Sequence, residues 1–347
     1  MITNPYEPSR VAIVVMDPGF GDMSMADNIQ LGMDEAGRDV AVQYHIPEVL
    51  PTSVSEAQTI MNDLSATGLY DLIIAIGAEM ASAVQAVANL FPTQKFGMVG
   101  ASINADNVAS ATFAAEQSSF LAGVLAAFLA AEDDYTGIIG ILAAMENDAT
   151  IDPMINGFIQ GVEAADAEYN LNVTLLDTVY LNSWNDTDGA SDIIYSMFVD
   201  GEPDVQGSQP GASIIFAPVR ASIVGVRNGS LRAEEHRVFT LNPNRAPLII
   251  AAEGELDYYG SINPDIPTAP SFITTSVLSR TDLAVYHMIN MTMWDSFVGD
   301  LGVYNLANGG VNITQYEYSS TYLSDATIAA VRSYHDEIIN GTVIVTP

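Results

Sequence analysis

Residues 71–90 read DLIIAIGAEMASAVQAVANL. An unbroken apolar run (LIIAI) stops at Gly77, and the apolar positions behind it recur at helical spacing. A run without alternation suits a strand buried on both faces, and the helix after it returns the chain for a parallel neighbour. The same unit appears upstream, where residues 11–16 (VAIVVM) stop at Asp17-Pro18-Gly19 and residues 26–36 carry helical spacing. Residues 96–99 are expected as a third strand, and residues 108–131 as one long helix with Phe113, Phe120, Leu121 and Leu125 near one face. After Glu132-Asp133-Asp134 the rhythm restarts, with strands expected at 137–142, 173–176, 213–217 and 248–252 and helices at 154–165 and 188–199. The segment 202–211 (EPDVQGSQPG) has the composition of a surface loop. Strands alternating with helices predict an α/β fold of parallel sheets covered on both faces, and the restart predicts two similar lobes.

Composition narrows the function classes. The chain has 347 residues, 49% of them hydrophobic, with 15 Tyr and 12 Phe, which excludes disorder as a class. Its net charge of −33 comes from a shortage of base rather than an excess of acid. Asp and Glu number 43, close to the ordinary share, whereas Lys and Arg number 10 where about 40 would be ordinary. Nucleic-acid binding and polybasic docking to an anionic membrane are thereby disfavoured. Such a surface suits a protein working outside the cell, where negative charge keeps it soluble. Cysteine is absent, which removes disulfides, thiolate metal sites and Cys nucleophiles.

No run of 18 apolar residues occurs; the longest candidate, 120–131 (FLAGVLAAFLAA), is expected as a buried helix. The start MITNPYEPSR lacks the basic and apolar regions of a signal peptide, so the expectation is a cytoplasmic protein or a mature form whose export signal is gone. Six Asn-x-Ser/Thr acceptors, at Asn172, Asn185, Asn228, Asn290, Asn312 and Asn340, favour export.

Catalytic motifs find no foothold. Gly19-Phe20-Gly21 lacks the third glycine of a dinucleotide fingerprint, and there is no GxxxxGK[ST] or GxSxG. The four histidines, His45, His236, His287 and His335, are scattered without ligand spacing. No cofactor, no metal and no enzymatic activity are expected. Residues at the carboxyl ends of strands remain, where open α/β sheets hold ligands. Asp17, Gly77 and Gly100 end the first three strands; Arg220 and Glu253 follow two later ones, and Trp184 lies just past another. Jointly they suggest a small polar ligand held between lobes.

One further stretch carries a resemblance. Residues 107–131, NVASATFAAEQSSFLAGVLAAFLAA, are similar to the signature of the basic membrane protein family, nucleoside-binding lipoproteins of ABC importers. Matching segments follow in the family's order at 70–84 (YDLIIAIGAEMASAV), 156–161 (NGFIQG) and 275–286 (TSVLSRTDLAVY), with 17–24 (DPGFGDMS) before them and Asn308-Gly309-Gly310-Val311 after. The resemblance implies a type I periplasmic-binding-protein fold, two doubly wound lobes joined by three crossovers. The expected lobes are 1–133 plus about 255–290, and 134–254 plus about 291–347, with the ligand cleft between them.

The function so implied is extracytoplasmic binding of a nucleoside, purine preferred, with hinge closure and delivery to an ABC permease in the membrane. The protein would be a monomer, anchored at the cell surface in its full-length precursor. A sensor ectodomain of the same fold, binding another ring-containing polar ligand, is the alternative. The site residues follow position by position. Asp17 matches the family's purine-contacting acid, although Pro18 stands where Asn is common. Met25 replaces one stacking Phe, and Trp184, within Ser183–Asp186, matches the other aromatic. Glu253 matches the acid that binds ribose hydroxyls. Three positions depart: Gly100 replaces an Asp, Arg220 or a neighbour replaces a loop glycine, and Ser279 replaces a ribose-contacting Lys.

Overall fold

The computed structural model describes residues 8–16, 19–21, 23, 25–199, 211–240 and 244–347. Up to Phe113 the chain alternates β1 (Ser9–Val15), α1 (Met25–Asp39), β2 (Val42–His45), α2 (Val54–Thr67), β3 (Leu72–Ile76), α3 (Ala81–Leu90), β4 (Phe96–Val99) and β5 (Val108–Phe113). The next stretch carries α4 (Ala115–Ala130), β6 (Ile138–Ala143), α5 (Ile151–Tyr169), β7 (Thr174–Leu175), β8 (Val179–Tyr180) and α6 (Thr187–Val199). It continues with β9 (Ile214–Ala217), α7 (Ile223–Glu234), α8 (Arg237–Thr240), β10 (Leu248–Ala252) and β11 (Ile273–Ser279). Then come α9 (Thr281–Met293), β12 (Gly302–Tyr304), β13 (Val311–Ile313) and α10 (Asp325–Ile339).

Two compact units result. Unit 1 is Met1–Phe113 with Arg280–Tyr304; unit 2 is Ala114–Ser279 with Asn305–Pro347, so the chain passes between them three times. The boundaries differ from the expected 133, 254 and 290 for a packing reason. Helix α4, expected in the first lobe, packs on α5, and β11 pairs with β10, which places both in unit 2. Strand β12, expected in the second lobe, pairs with β5 of unit 1.

In unit 1 the sheet order is β12-β5-β4-β3-β1-β2, parallel throughout. Alternation of side chains splits its core in two. Val11, Ile13 and Val15 of β1 with Leu72, Ile74 and Ile76 of β3 face α1 and α9, where Ile29, Val285 and Met288 fill the other side. Ala12, Val14, Ile73 and Ala75 point to the opposite face and meet Met61 and Leu64 of α2 and Val84 and Val87 of α3. This is why the strands carry unbroken apolar runs: both faces are covered.

In unit 2 the order is β13-β11-β10-β9-β6-β7, with β8 pairing with the end of β6. Among the described residues only β13 runs antiparallel to its neighbour in this sheet. The turn before it is made by the Asn308 side chain, whose Oδ1 accepts from the N–H of Asn305 (2.8 Å) and of Gly310 (3.1 Å).

The expected helix over 108–131 is corrected to a strand and a helix divided at Ala114. The first part donates and accepts across the β4 ladder, and Ser110, fully buried, pairs its hydroxyl with the backbone of Ile103. An alanine-rich stretch has weak strand signals of its own, so the ladder decides. Phe113 consequently leaves the helix face and lies against Tyr304, ring centroids 5.3 Å apart. The expected loop at 202–211 lies outside the described residues apart from Gly211.

Candidate functional site

Strands β9 (IIFA) and β10 (LIIAA) are wholly buried and lie side by side in parallel, Leu248 opposite Ile214. Their carboxyl ends therefore emerge together. Past β9 the Pro218 carbonyl accepts from Ala144 N–H (3.0 Å), and Arg220 opens a 3-10 turn into α7. Past β10, Glu253 follows at once, its N–H held by the Val277 carbonyl of β11 (2.9 Å). Arg220 and Glu253 both adopt left-handed backbone, with φ of 47° and 69°. For residues with a Cβ this costs about 1–2 kcal/mol each, and such strain gathers where side chains must be aimed.

The two aimed side chains meet. Arg220 Nε donates to Glu253 Oε2 at 2.8 Å and Nη2 donates to Oε1 at 3.3 Å, a bidentate pair. Glu253 is 1% exposed and the Arg220 side chain 17% exposed, so the carboxylate is buried at the edge of the guanidinium. The third member arrives on the loop after β8. Leu181 N–H and Ser183 N–H bond to the carbonyls of Ala143 and Ala144, and the Trp184 carbonyl accepts from Ser222 N–H (3.3 Å). This strapping lays the Trp184 ring against the guanidinium, whose carbon is 4.0 Å from the ring centroid. Trp184, Arg220 and Glu253, predicted separately, are thus one layered cluster in unit 2.

The remaining predicted residues take other places. Ser279 ends β11 in the same sheet, 6% exposed. Gly77 and Gly100 follow β3 and β4 in unit 1 with φ of 116° and 104°, which L side chains rarely adopt. An aspartate at Gly100 would be strained in this backbone. Met25 opens α1 and belongs to the apolar core of unit 1, 8% exposed. Asp17 lies outside the described residues. The loop after β1 nonetheless shows its anchor: Asp27 of α1 accepts from Gly21 N–H (2.6 Å) and Met23 N–H (2.7 Å).

Sequence reading passed over Asp257. It sits in the turn Asp257–Gly260 beyond Glu253 and is 8% exposed. Burial, with Glu255 and Glu317 adding like charge, pushes its carboxyl up from 3.8 to about 6. Nothing in the sequence around it announced that burial. A carboxyl with a raised folded pKa holds its proton longer in the native state, so ionising it costs stability as pH climbs from about 4 to 6, and the full cost persists above. Asp257→Asn is expected to raise unfolding free energy by about 1–3 kcal/mol at neutral pH, with the gain vanishing near pH 4. Denaturant melts at the two pH values check it; an equal effect at both would contradict it.

The sheet orders and the three passes are shared with known proteins. A crystal structure of an ABC transporter solute-binding protein from Aeropyrum pernix superposes with a TM-score of 0.79 over 98% of this chain and 94% of that one, at 21% identity. The fold is that of type I periplasmic binding proteins. Among sequence relatives, the ABC transporter nucleoside-binding protein BmpA of Lactococcus lactis is 24% identical over 97% of this chain and 88% of its own length. A CD4+ T-cell-stimulating antigen of Listeria innocua is 26% identical over 79% of this chain and 70% of its own length. The family model described as "ABC transporter substrate-binding protein PnrA-like" matches residues 10–215, which carry five of the six strands of the unit 1 sheet and β6 to β8 of unit 2. That match covers more than half of the chain, and the chain belongs to the Bmp family of ABC transporter substrate-binding proteins, which bind solutes and do not transform them.

Proposed function

We propose that this chain is an extracytoplasmic receptor, membrane-anchored in its full-length form, that binds a nucleoside, purine preferred, and hands it to an ABC permease. One observation carries the reading: Trp184, Arg220 and Glu253 form one partly exposed cluster of ring, guanidinium and carboxylate at strand ends of unit 2. The Lactococcus lactis relative is a nucleoside-binding protein by name, which supports the same class of ligand. A planar base gains on the order of 1–3 kcal/mol by stacking on such a cluster. Ribose hydroxyls would be read by strand-end polar groups, the Ser279 hydroxyl among them. The role expected for Glu253 in that reading changes, because both of its oxygens already accept from Arg220. Binding would shift the protein toward a closed state, the form a permease recognises.

Titration calorimetry with adenosine, guanosine, inosine and uridine tests the proposal. Heat of binding with at least one purine nucleoside, exceeding that with uridine, is the expected result; no heat with any of the four refutes it. Trp184→Ala is expected to weaken the best of these ligands about tenfold, since the cluster loses its ring. An unchanged affinity would show that the ligand does not use this cluster.

A further inference from the structure

We infer that Asn172 and Asn340 carry N-linked glycans and that the other four Asn-x-Ser/Thr triplets stay bare. The inference goes beyond the nucleoside reading and shares with it only the extracytoplasmic location. The triplet is defined by an amide and, two residues on, a hydroxyl, so an enzyme acting on the folded chain must reach both. All six triplets lie among the described residues, and the fold sorts them. Asn228 and Asn290 stand inside α7 and α9, where residues two apart point to different sides. Their hydroxyl residues are hidden: Ser230 is fully buried, and the buried Thr292 donates its Oγ1 proton to the Met288 carbonyl (2.9 Å). Asn312 lies on β13, where Thr314 is buried and its Oγ1 accepts from Ser276 N–H (2.9 Å). Asn185 is exposed, but Thr187 is half-buried and its N–H bonds to the Asn185 carbonyl (3.2 Å), in the strap that follows Trp184.

At the two remaining triplets both groups face solvent. Asn172 and Thr174 are exposed at the start of β7, the last strand in its sheet order. Asn340, Gly341 and Thr342 are all exposed past the end of α10, where the chain turns at Gly341 (φ 73°). The two share one end of unit 2, because the Tyr334 hydroxyl of α10 donates to Glu168 Oε2 of α5 (2.6 Å), just ahead of each triplet. Exposed apolar side chains collect there: Tyr169 and Leu176 flank Asn172, and Ile339 and Ile344 flank Asn340. A sugar chain on each asparagine would cover that surface. The ligand cluster stays clear, since Thr174 pairs with Ile138 at the start of β6 whereas Ser183 bonds to Ala144 past its end. The length of that strand puts Asn172 about 20 Å from Trp184.

The donor class is an oligosaccharide carried on a lipid diphosphate. The asparagine Nδ2 bonds to the sugar's anomeric carbon, and the bond from that carbon to the phosphate oxygen breaks. The lipid diphosphate leaves with the electron pair, and Nδ2 gives up one proton. At Asn172 the amide keeps its second proton, so its bond to the Asn170 carbonyl (2.9 Å) survives the transfer. Peptide mass spectrometry of the chain isolated from the cells that make it, cut at acidic residues, tests the inference. Sugar mass is expected on the peptides carrying Asn172 and Asn340, and none at Asn185, Asn228, Asn290 or Asn312. Thr174→Val, which leaves Asn172 in place, is expected to abolish the mass shift at Asn172 and keep it at Asn340. A shift that persists at Asn172 in that variant would show a modification blind to the triplet, against the inference. Bare asparagine at Asn172 or Asn340, or sugar at the triplets with buried hydroxyls, overturns it while leaving the nucleoside reading untouched.

Discussion

Arg220→Met is expected to lower the unfolding free energy by about 3–5 kcal/mol. The methionine has nearly the arginine's apolar reach but takes from the 1%-exposed Glu253 carboxylate the two bonds that Arg220 donates. It also keeps the left-handed backbone at position 220 while removing the bonds that hold it there. The cost belongs to the buried carboxylate that loses Arg220's charge rather than to the pair as such, since a buried pair replaced by apolar groups is often close to neutral. Adding Glu253→Gln should therefore recover most of the loss. Chemical denaturation of the two variants beside the native chain reads both numbers. A single variant within about 1 kcal/mol of native would mean the carboxylate finds water, and the cluster would not be rigid.

The second large effect lies in unit 2, away from the cluster. Helices α4 and α5 touch backbone to backbone: a Cβ at Gly157 would stand 2.1 Å from the Glu116 carbonyl oxygen, and one at Gly161 2.0 Å from that of Phe120. From the other side, a Cβ at Gly123 would stand 2.1 Å from the Phe158 carbonyl oxygen. Alanine normally improves a helix interior over glycine by about 1 kcal/mol. Here the clash is with backbone, so the helices must separate, and overpacking costs about 1–3 kcal/mol per site. The double variant Gly157→Ala, Gly161→Ala is expected to lose about 2–5 kcal/mol by denaturant melt. A gain in stability would show that the helices do not approach as described.

These glycines also show what the sequence carries plainly. The segments that announced the family, SFLAG within α4 and NGFIQG within α5, are the two halves of this helix contact, so part of the most recognisable signature is packing rather than ligand chemistry. The buried strands were equally plain, because two covered faces demand unbroken apolar runs. Strand β2 (VQYH), only half covered, offered no such run. Strand β11 (ITTSVLS) hides its burial behind hydroxyls: Thr274 Oγ1 donates to the Ile249 carbonyl and Thr275 Oγ1 to that of Thr314. A buried polar strand satisfied by distant partners cannot be told from a loop by composition.

The site was half legible. Trp184, Arg220 and Glu253 could each be named as strand-end residues, but their meeting depends on β9 and β10 being neighbours, which no local pattern states. Nor was base depletion as telling as it first looks. Arg227 stacks on Tyr259, Arg232 on Tyr195 and Arg245 on Phe239, so a chain with ten basic residues spends several of them on rings. Arg280 has a buried carboxylate partner too, in Asp282; what sets Arg220 apart is the left-handed backbone at both ends of its pair.

A crystal structure of the native chain grown with guanosine tests the central claim most directly. The account predicts the nucleoside in contact with the cluster of Trp184, Arg220 and Glu253. A nucleoside bound without contact to any of these three residues would contradict it.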